Sequence, residues 1–383
     1  MITIRYPEDR AYYFSQNIPD FILQKEGGDD DTISFELKIN GSSIFTEIYT
    51  FDTNGIIAIR DISSIVNKYL SYTDELPEQN NSFVTENRHT VASVTYVYGP
   101  ESMPDNSETT YTAIYCNTDM RVDDVLYFLK KNFLTNLQRV KSTSISRKEY
   151  LSFFAFESKD VYRINVRLFL QQPDIITELT AVYGMLYREG QEGDKAVTFE
   201  CSLARVLEAL QLSNTDIVNV LHYDIWVEYS DGETYYYRYM VDHEYYKTTN
   251  HFLFFNSFGM AETFTATGNT YTKSIAEYTF GNIQHTYRKL QQNYKKETNV
   301  LTGILTEKEM IWLDDFFMSS VVALYNAFTG IVDEYVITEI DKEEKTANEI
   351  QFASFTMRRA KNISSVSLKS FGVFDNTFNP KFE

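Results

Sequence analysis

The stretch Asp31-Thr-Ile33-Ser-Phe35-Glu-Leu37-Lys-Ile39-Asn40-Gly41 indicates the fold class of this chain. Apolar residues alternate with polar residues from Ile33 to Ile39, which is the period of a half-buried β-strand. Asn-Gly follows directly, and this pair is the strongest short signal for a two-residue hairpin turn. Comparable stretches recur along the chain, so the sequence predicts a mostly β protein.

The composition agrees with this prediction. The 383 residues include 29 Tyr and 28 Phe, and aromatic residues are favoured in sheets. A hydrophobic content of 43% is enough to form cores, and the length predicts two or three domains.

Breaks in the pattern divide the chain into five segments. Residues 1–31 end in Gly-Gly-Asp-Asp-Asp and are predicted to be an N-terminal arm. Two tandem β-sandwich-like domains with short amphipathic helices are predicted over residues 32–158 and 159–281. A small α+β module is predicted over residues 282–360, and a C-terminal arm over residues 361–383.

The second β-rich domain is predicted to be a duplicate of the first. Asp61 and Ser202 each precede an amphipathic helix as a predicted N-cap, at an offset of 141 residues. A strand precedes each helix and strands follow it, although the preceding strands align one residue out of phase.

The last module has its own helix signal. Thr306 and Glu309 form a predicted capping box, and Met310, Leu313 and Phe317 recur on one helix face. Three strands are predicted after this helix.

The net charge of −19 opposes binding to nucleic-acid phosphate and to anionic lipid. The basic stretches 130–148 and 288–296 are interpreted as solvated faces or counter-charges for acidic neighbours. We therefore expect no specific nucleic-acid binding. An acidic wall would let DNA slide through a conduit without sticking; charge-reversal variants with unchanged DNA ejection would contradict this hypothesis.

The sequence indicates neither secretion nor a membrane span. The N-terminus has no basic segment followed by an apolar core, and no apolar run approaches about 18 residues. We therefore expect synthesis in a cytoplasm and a protein that stays soluble.

No catalytic, cofactor-binding or metal-binding residues are predicted, so the chain is not expected to be an enzyme. His243-Glu244 lacks a nucleophile and a third partner, and Asp52 begins a calcium-like loop without its distal Glu. Cys116 and Cys201 lack metal spacing and are expected to be buried. A polysaccharide hydrolase is kept as a third hypothesis, because paired carboxylates cannot be placed from sequence.

The run Tyr235-Tyr236-Tyr237 favours a protein that assembles with others. In a strand over residues 234–241, Tyr235 and Tyr237 would share one face and Tyr236 would lie on the other. Both faces would then be covered, one by the core and the other by a neighbouring domain or subunit.

Three sequence blocks resemble a known family. The first is Phe133-Leu-Thr-Asn136 with Arg147-Lys-Glu-Tyr-Leu-Ser-Phe-Phe154. The second is Phe252-Leu-Phe-Phe-Asn-Ser-Phe-Gly259 with Glu262-Thr-Phe-Thr-Ala-Thr-Gly268, and the third is Phe371-Gly-Val-Phe-Asp-Asn-Thr-Phe378. Together they resemble structural proteins of phages and prophages of Bacteroidetes, including crAss-like phages. Leu137-Gln138 departs from the Arg-Pro that often follows the first block.

The resemblance implies a virion protein of the tail, collar or baseplate, without catalytic residues. We expect a ring or adaptor protein whose partners are further copies of itself and other tail or portal-proximal proteins. The alternative is a peripheral tail protein that binds a receptor or glycan. The family-motif residues are expected to serve folding: Glu149, Tyr150, Leu151, Asn256, Ser257, Phe258 and Gly259.

Overall fold

The computed structural model describes residues 2–6, 10–25, 31–72, 84–100, 107–120, 122–137, 139–173, 175–188, 193–212, 214–283, 286–326, 330–343 and 350–361. Within these residues the protein has 24 β-strands in five sheets and four α-helices. The predicted mostly β, multidomain fold class is confirmed. The C-terminal arm, beyond Lys361, lies outside the described residues.

The first unit packs a five-stranded sheet, in the order β2-β9-β8-β4-β5, against the small sheet β1-β3-β6. Its elements are β1 (Ile2–Tyr6), β2 (Tyr12–Phe14), β3 (Phe21–Lys25), β4 (Thr32–Ile39), β5 (Ser42–Thr50), β6 (Ile56–Ile59), α1 (Ile62–Tyr69), β7 (Val84–Asn87), β8 (Val91–Pro100) and β9 (Ser107–Ile114).

The stretch that predicts the fold forms the centre of this unit. Every second residue of β4 is buried, and Phe35 is completely buried. Asn40 and Gly41 both have positive φ, at 50° and 77°, as the two-residue turn between β4 and β5 requires. The apolar face of β4 therefore packs against the small sheet.

The prediction of an arm over residues 1–31 is wrong for residues 10–25. Strand β3 pairs with β6, and Phe21 and Leu23 are completely buried in the core. Strand β2 pairs in parallel with β9 at the sheet edge. Both strands are short and pair with distant residues, so no local repeat marks them. Most of the Gly-Gly-Asp break, residues 26–30, lies outside the described residues.

Helix α2 (Val125–Lys131) connects the first two units, and the Asp124 carboxylate caps it by accepting the Tyr127 amide at 2.9 Å. The second unit comprises β10 (Val140–Thr143), β11 (Tyr150–Ala155), β12 (Val161–Gln171), β13 (Ile176–Tyr187), β14 (Lys195–Glu200), α3 (Leu203–Ala209), β15 (Val220–Tyr229), β16 (Gly232–Glu233) and β17 (Tyr237–Val241).

The predicted boundary at residues 158 and 159 is wrong, because β10 and β11 belong to the second unit. Strand β10 extends the large sheet β10-β17-β15-β12-β13, and β11 pairs with β14. Strand β7 pairs with β14 from the other side, so the two units share this small sheet.

The two units have one topology. In each, a central antiparallel path of four strands forms the large sheet, β9-β8-β4-β5 in the first and β17-β15-β12-β13 in the second. A parallel strand is added at the same edge, β2 or β10, and a helix follows the equivalent small-sheet strand, β6 or β14. Descent from a duplicated ancestor stays a prediction.

The predicted N-caps differ from the structure in one respect. The helices begin directly after Asp61 and Ser202, but neither side chain caps its helix. Asp61 has a left-handed backbone with φ of 62°, and Ser202 donates its hydroxyl to Glu200 instead.

The third unit contains β18 (Asn250–Phe255), β19 (Ala261–Ala266), β20 (Thr270–Ile283), β21 (Thr286–Leu301), α4 (Glu307–Met318), β22 (Val322–Asn326), β23 (Gly330–Lys342) and β24 (Ala353–Arg359). One sheet joins all its strands, in the order β19-β18-β22-β23-β24-β21-β20. The predicted boundary at residues 281 and 282 is wrong, because it cuts the hairpin of β20 and β21.

Helix α4 packs on the sheet of the third unit. Its predicted capping box is confirmed, since Thr306 and Glu309 each bond the backbone of the other. Leu313 and Phe316 are completely buried, and the Phe316 ring lies 5.4 Å from that of Phe252 on β18.

Candidate functional site

The family-motif residues meet where the three units join. Glu149, Tyr150 and Leu151 lie at the start of β11, and residues 256–259 form the turn between β18 and β19. All seven are buried. We call this region, with residues 133–137, Lys141, Thr143 and Asp315, the buried junction.

Asn256 connects the turn to the first motif block. Its Oδ1 accepts hydrogen bonds from the backbone amides of Phe258 and Met260, at 3.0 and 3.1 Å. Its Nδ2 donates to the Leu134 carbonyl at 2.9 Å and to the Glu262 carboxylate at 3.0 Å. The side chain is therefore fully hydrogen bonded, as a buried amide requires.

The other residues of the turn contact the first unit. The Ser257 carbonyl accepts the Asn117 amide at 2.9 Å, and the Phe258 ring packs 5.5 Å from that of Phe14. Gly259 has φ of 73°, and a Cβ there would lie 2.8 Å from the Tyr115 ring. Only glycine fits this position without displacing a neighbour.

Glu149 forms a buried ion pair with Lys141, at 2.6 Å between Oε2 and Nζ. The carboxylate also accepts hydrogen bonds from the hydroxyls of Thr143 and Thr263, and Lys141 donates to the Thr263 carbonyl. The pair thus joins β10 and β11 of the second unit to β19 of the third. Both charges have several partners, which offsets the cost of burial.

Two further carboxyl groups lie in the junction, and the sequence did not single them out. Thr135 donates to Glu262 at 2.9 Å, and Asn136 donates to Asp315 at 2.7 Å. Burial raises the pKa of Glu262, against the opposing charge of Lys141. Burial, with the charge of Glu262, raises the pKa of Asp315 to about 6. Both groups are less than a tenth exposed, and these hydrogen bonds hold the loop of the first motif block.

The residues considered for catalysis have structural contacts. His243 Nε2 lies 2.7 Å from the Val220 carbonyl, and burial raises the pKa values of Cys116 and Cys201. Asp52 Oδ1 accepts the amides of Asn54 and Ile56, which accounts for the calcium-like loop as a turn. The described ranges contain no metal-holding group of His, Cys, Asp and Glu.

The outer face of the large sheet in the second unit has a different composition from its core. We call it the arginine–aromatic face, formed by Arg167, Phe169, His222, Trp226, Tyr236 and Arg238. The Arg167 guanidinium lies 5.2 Å from the Trp226 ring, and the Phe169 and His222 rings stack at 4.2 Å. Beside it, edge strand β13 exposes further apolar side chains, at Ile176, Val182, Met185 and Tyr187.

The Tyr235-Tyr236-Tyr237 prediction is only partly right. Tyr237 is buried in the core, but Tyr235 is 37% exposed because β17 begins only at Tyr237. Tyr236 is 54% exposed on the outer side, as the alternation predicts. Within the described residues no other unit of this chain covers this outer face, so cover by another subunit stays a prediction.

Tyr235 and Tyr236 also line a cleft of about 510 Å³ beside helix α2. The Arg139 guanidinium lies 3.9 Å from the Tyr235 ring centroid, and the Tyr235 hydroxyl is hydrogen bonded to that of Tyr127 at 2.8 Å. Asn136 from the junction and Lys308 from α4 also line the cleft.

The hairpin of β20 and β21 is the third exposed feature, and we call residues 270–301 the projecting hairpin. Strand β21 pairs with β24 only from Glu297 to Leu301. From Thr286 to Lys296 it pairs with β20 alone, within the part of the chain that the structure describes.

No protein-family model matches the chain, and no curated protein matches its sequence. Among the helices of the described residues, none is long and apolar enough to cross a membrane.

Proposed function

We propose that this protein is a structural subunit that acts by assembling with other protein chains. The observation that supports the proposal is the arginine–aromatic face. Trp, Tyr and Arg dominate the energetic centres of protein interfaces, and they are uncommon together on a surface that only water contacts. The Arg238 side chain is held in one position without a partner chain, because Asp224 accepts two hydrogen bonds from its guanidinium at 2.7 and 2.8 Å. Such preorganisation lowers the entropic cost of binding.

The finer assignment, a ring or adaptor protein of a phage tail, rests on the resemblance of the three sequence blocks. The buried positions of the seven family-motif residues of the first two blocks favour a role in folding, since these residues hydrogen bond or pack within the junction. The third block lies outside the described residues. Repeated contacts between identical subunits would close into a cyclic ring. Its partners would be further copies and neighbouring tail or portal-proximal proteins, and its location would be the virion.

Light scattering over a concentration series tests the proposal, with electron microscopy of any large species. We expect a discrete oligomer. Trp226→Ser should weaken its association at least tenfold, as expected for an interface centre. Val97→Ser is the matched control, because Val97 occupies the equivalent, partly buried position in the first unit.

A wild-type chain that stays monomeric at every concentration contradicts the proposal. If the wild type forms oligomers and Trp226→Ser weakens them no more than Val97→Ser does, assembly uses another surface.

The cleft beside Tyr235 supports a second candidate, recognition of a glycan or receptor. Exposed aromatic rings and fixed polar groups are typical of small-ligand sites, and Asn136 is held from behind by Asp315. We expect a cell-surface glycan to raise the melting temperature of the wild type but not of Tyr236→Ser. Tyr245→Ser, at a 92% exposed residue outside the cleft, should respond like the wild type. A glycan panel that produces no shift contradicts this candidate.

A further inference from the structure

The projecting hairpin extends far beyond the sheet that supports its base. At about 3.3 Å per residue, residues 286–296 reach roughly 36 Å past the last pairing with β24. Along this length both backbone edges lack a further strand within the described residues. An isolated two-stranded hairpin is marginally stable in water, and open strand edges invite pairing or cover.

Aromatic side chains cluster near the tip of the hairpin. The rings of Phe280 and Tyr287 stack at 5.5 Å, and Tyr278 lies 6.0 Å from Phe280. These side chains are 47%, 75% and 39% exposed, respectively. The three rings form one continuous apolar patch, which is an unfavourable surface to leave in water.

The hairpin is also basic, although the chain is acidic. Five residues are Lys or Arg and two are Glu, a net charge of +3, while the whole chain carries −19. The basic residues are Lys273, Arg288, Lys289, Lys295 and Lys296, and the acidic residues are Glu277 and Glu297. A basic segment on an acidic molecule is electrostatically complementary to other copies of that molecule.

We propose that the projecting hairpin binds a second copy of this chain, against an acidic part of its surface. The inference rests on the proposed function, which it extends by naming the contact and the partner. The aromatic patch supplies the buried area, and the basic residues orient the approach. The contact is heterologous, because the hairpin of one copy meets a different surface of the next. Repeated contacts of this kind generate a ring when the rotation between copies closes.

Two variants test the contact by light scattering. The first replaces residues 277–293 with Asn-Gly, which closes the hairpin directly after the paired residues Ala276 and Tyr294. The second, Tyr278→Ser with Phe280→Ser and Tyr287→Ser, keeps the backbone length. Each should weaken association at least tenfold. Tyr271→Ser is the matched control at the hairpin base, 64% exposed and outside the aromatic patch, and should associate normally.

Thermal unfolding establishes that each variant folds before its association is interpreted. Raising the salt concentration should weaken wild-type association, because salt screens the charges of the basic residues. A photo-crosslinker at residue 280, used in a mixture of isotope-labelled and unlabelled chains, should link that residue to a Glu- or Asp-rich segment of another copy.

The outcomes separate the two proposals. A wild-type monomer at every concentration overturns the proposed function and this contact with it. If the wild type forms oligomers and both hairpin variants associate equally well, only the hairpin contact is overturned. A crosslink to a Lys- or Arg-rich segment overturns the assignment of an acidic partner surface.

Discussion

The large sheets of the first and second units have the same strand order but different outer faces. The pairs Glu36–Val97 and Lys38–Thr95 in the first unit correspond to Asn165–Trp226 and Arg167–Asp224 in the second. The first unit presents the ion-paired Glu36 and Lys38 beside Val97 and Thr95 at these places, and Thr95 and Thr110 bond each other at 2.9 Å. The second presents stacked Arg and aromatic groups.

The interiors of the units also differ in the polar groups that they bury. Among the described residues, the buried charged side chains all follow residue 140: Lys141, Arg147, Glu149, Arg188, Glu200, Asp224, Glu262 and Asp315. The first unit buries hydroxyl and amide groups instead, such as Ser15, Asn87 and Thr90. Topology thus follows from the shared apolar inner faces. Charge and aromatic content follow from what each unit contacts beyond its own core.

The largest expected effect is at the buried ion pair. Glu149→Gln leaves the Lys141 ammonium buried without its counter-charge and should lower the free energy of unfolding by about 3–5 kcal/mol. Asp20→Asn is the control at the equivalent position before β3, where the residue is exposed; it should cost under about 0.5 kcal/mol. Urea unfolding followed by circular dichroism measures both, because the two tryptophans, Trp226 and Trp312, lie outside the first unit. If both variants lost the same free energy of unfolding, the expected contrast between the interiors of the second and first units would be wrong.

The next effect is a pH dependence centred on Asp315. Burial raises its pKa to about 6, so the folded chain binds this proton more readily than the unfolded chain. The resulting stabilisation is complete below about pH 4 and is lost as pH rises through about 6, a change of up to roughly 3 kcal/mol. Asp315→Asn should abolish this part of the pH dependence.

Asp314→Asn is the control for Asp315. Asp314 is the preceding residue, 60% exposed and paired with Lys342. Unfolding measured from pH 4 to 8 should give this variant the wild-type slope. A wild-type slope in Asp315→Asn would mean that Asp315 does not set the pH response.

A smaller effect tests how the first unit contacts the junction. Gly259→Ala combines a positive φ with a Cβ contact of 2.8 Å to Tyr115 and should cost about 2 kcal/mol. Gly41→Ala has a similar φ of 77° but no atom within 4 Å, so about 1 kcal/mol of backbone strain is expected. Differential scanning calorimetry compares the two. Matching losses would show that the Tyr115 contact adapts freely.

The smallest effect compares the outer faces directly. Arg238→Lys keeps the charge but loses the two-pronged contact with buried Asp224, at a cost of about 1 kcal/mol. Thr110→Ser, at the equivalent place in the first unit, keeps its hydroxyl and should change stability by less than about 0.5 kcal/mol. Chemical unfolding resolves this difference, and its absence would indicate that neither face is organised before binding.

Loop lengths explain where the sequence comparison succeeded and failed. The helices α1 and α3 follow an offset of 141, but the central strands β4 and β8 correspond to β12 and β15 at 129. Strand β13 of the second unit is longer than β5, its counterpart in the first unit. The connection from α3 to β15 is shorter than the connection from α1 to β8. A search for internal repeats at one fixed offset therefore aligns the two helices. The strands that precede them are then shifted out of phase with each other.

The sequence by itself determined the fold class, the hairpin at Asn40-Gly41 and the capping box at Thr306, because each depends on neighbouring residues. It also marked the motif residues as a set. Only the tertiary structure decided that they meet at one buried junction, that β2 and β3 belong to the core, and that Trp226 lies on an outer face. Pairing between distant strands fixes those positions, and no local period encodes such pairing.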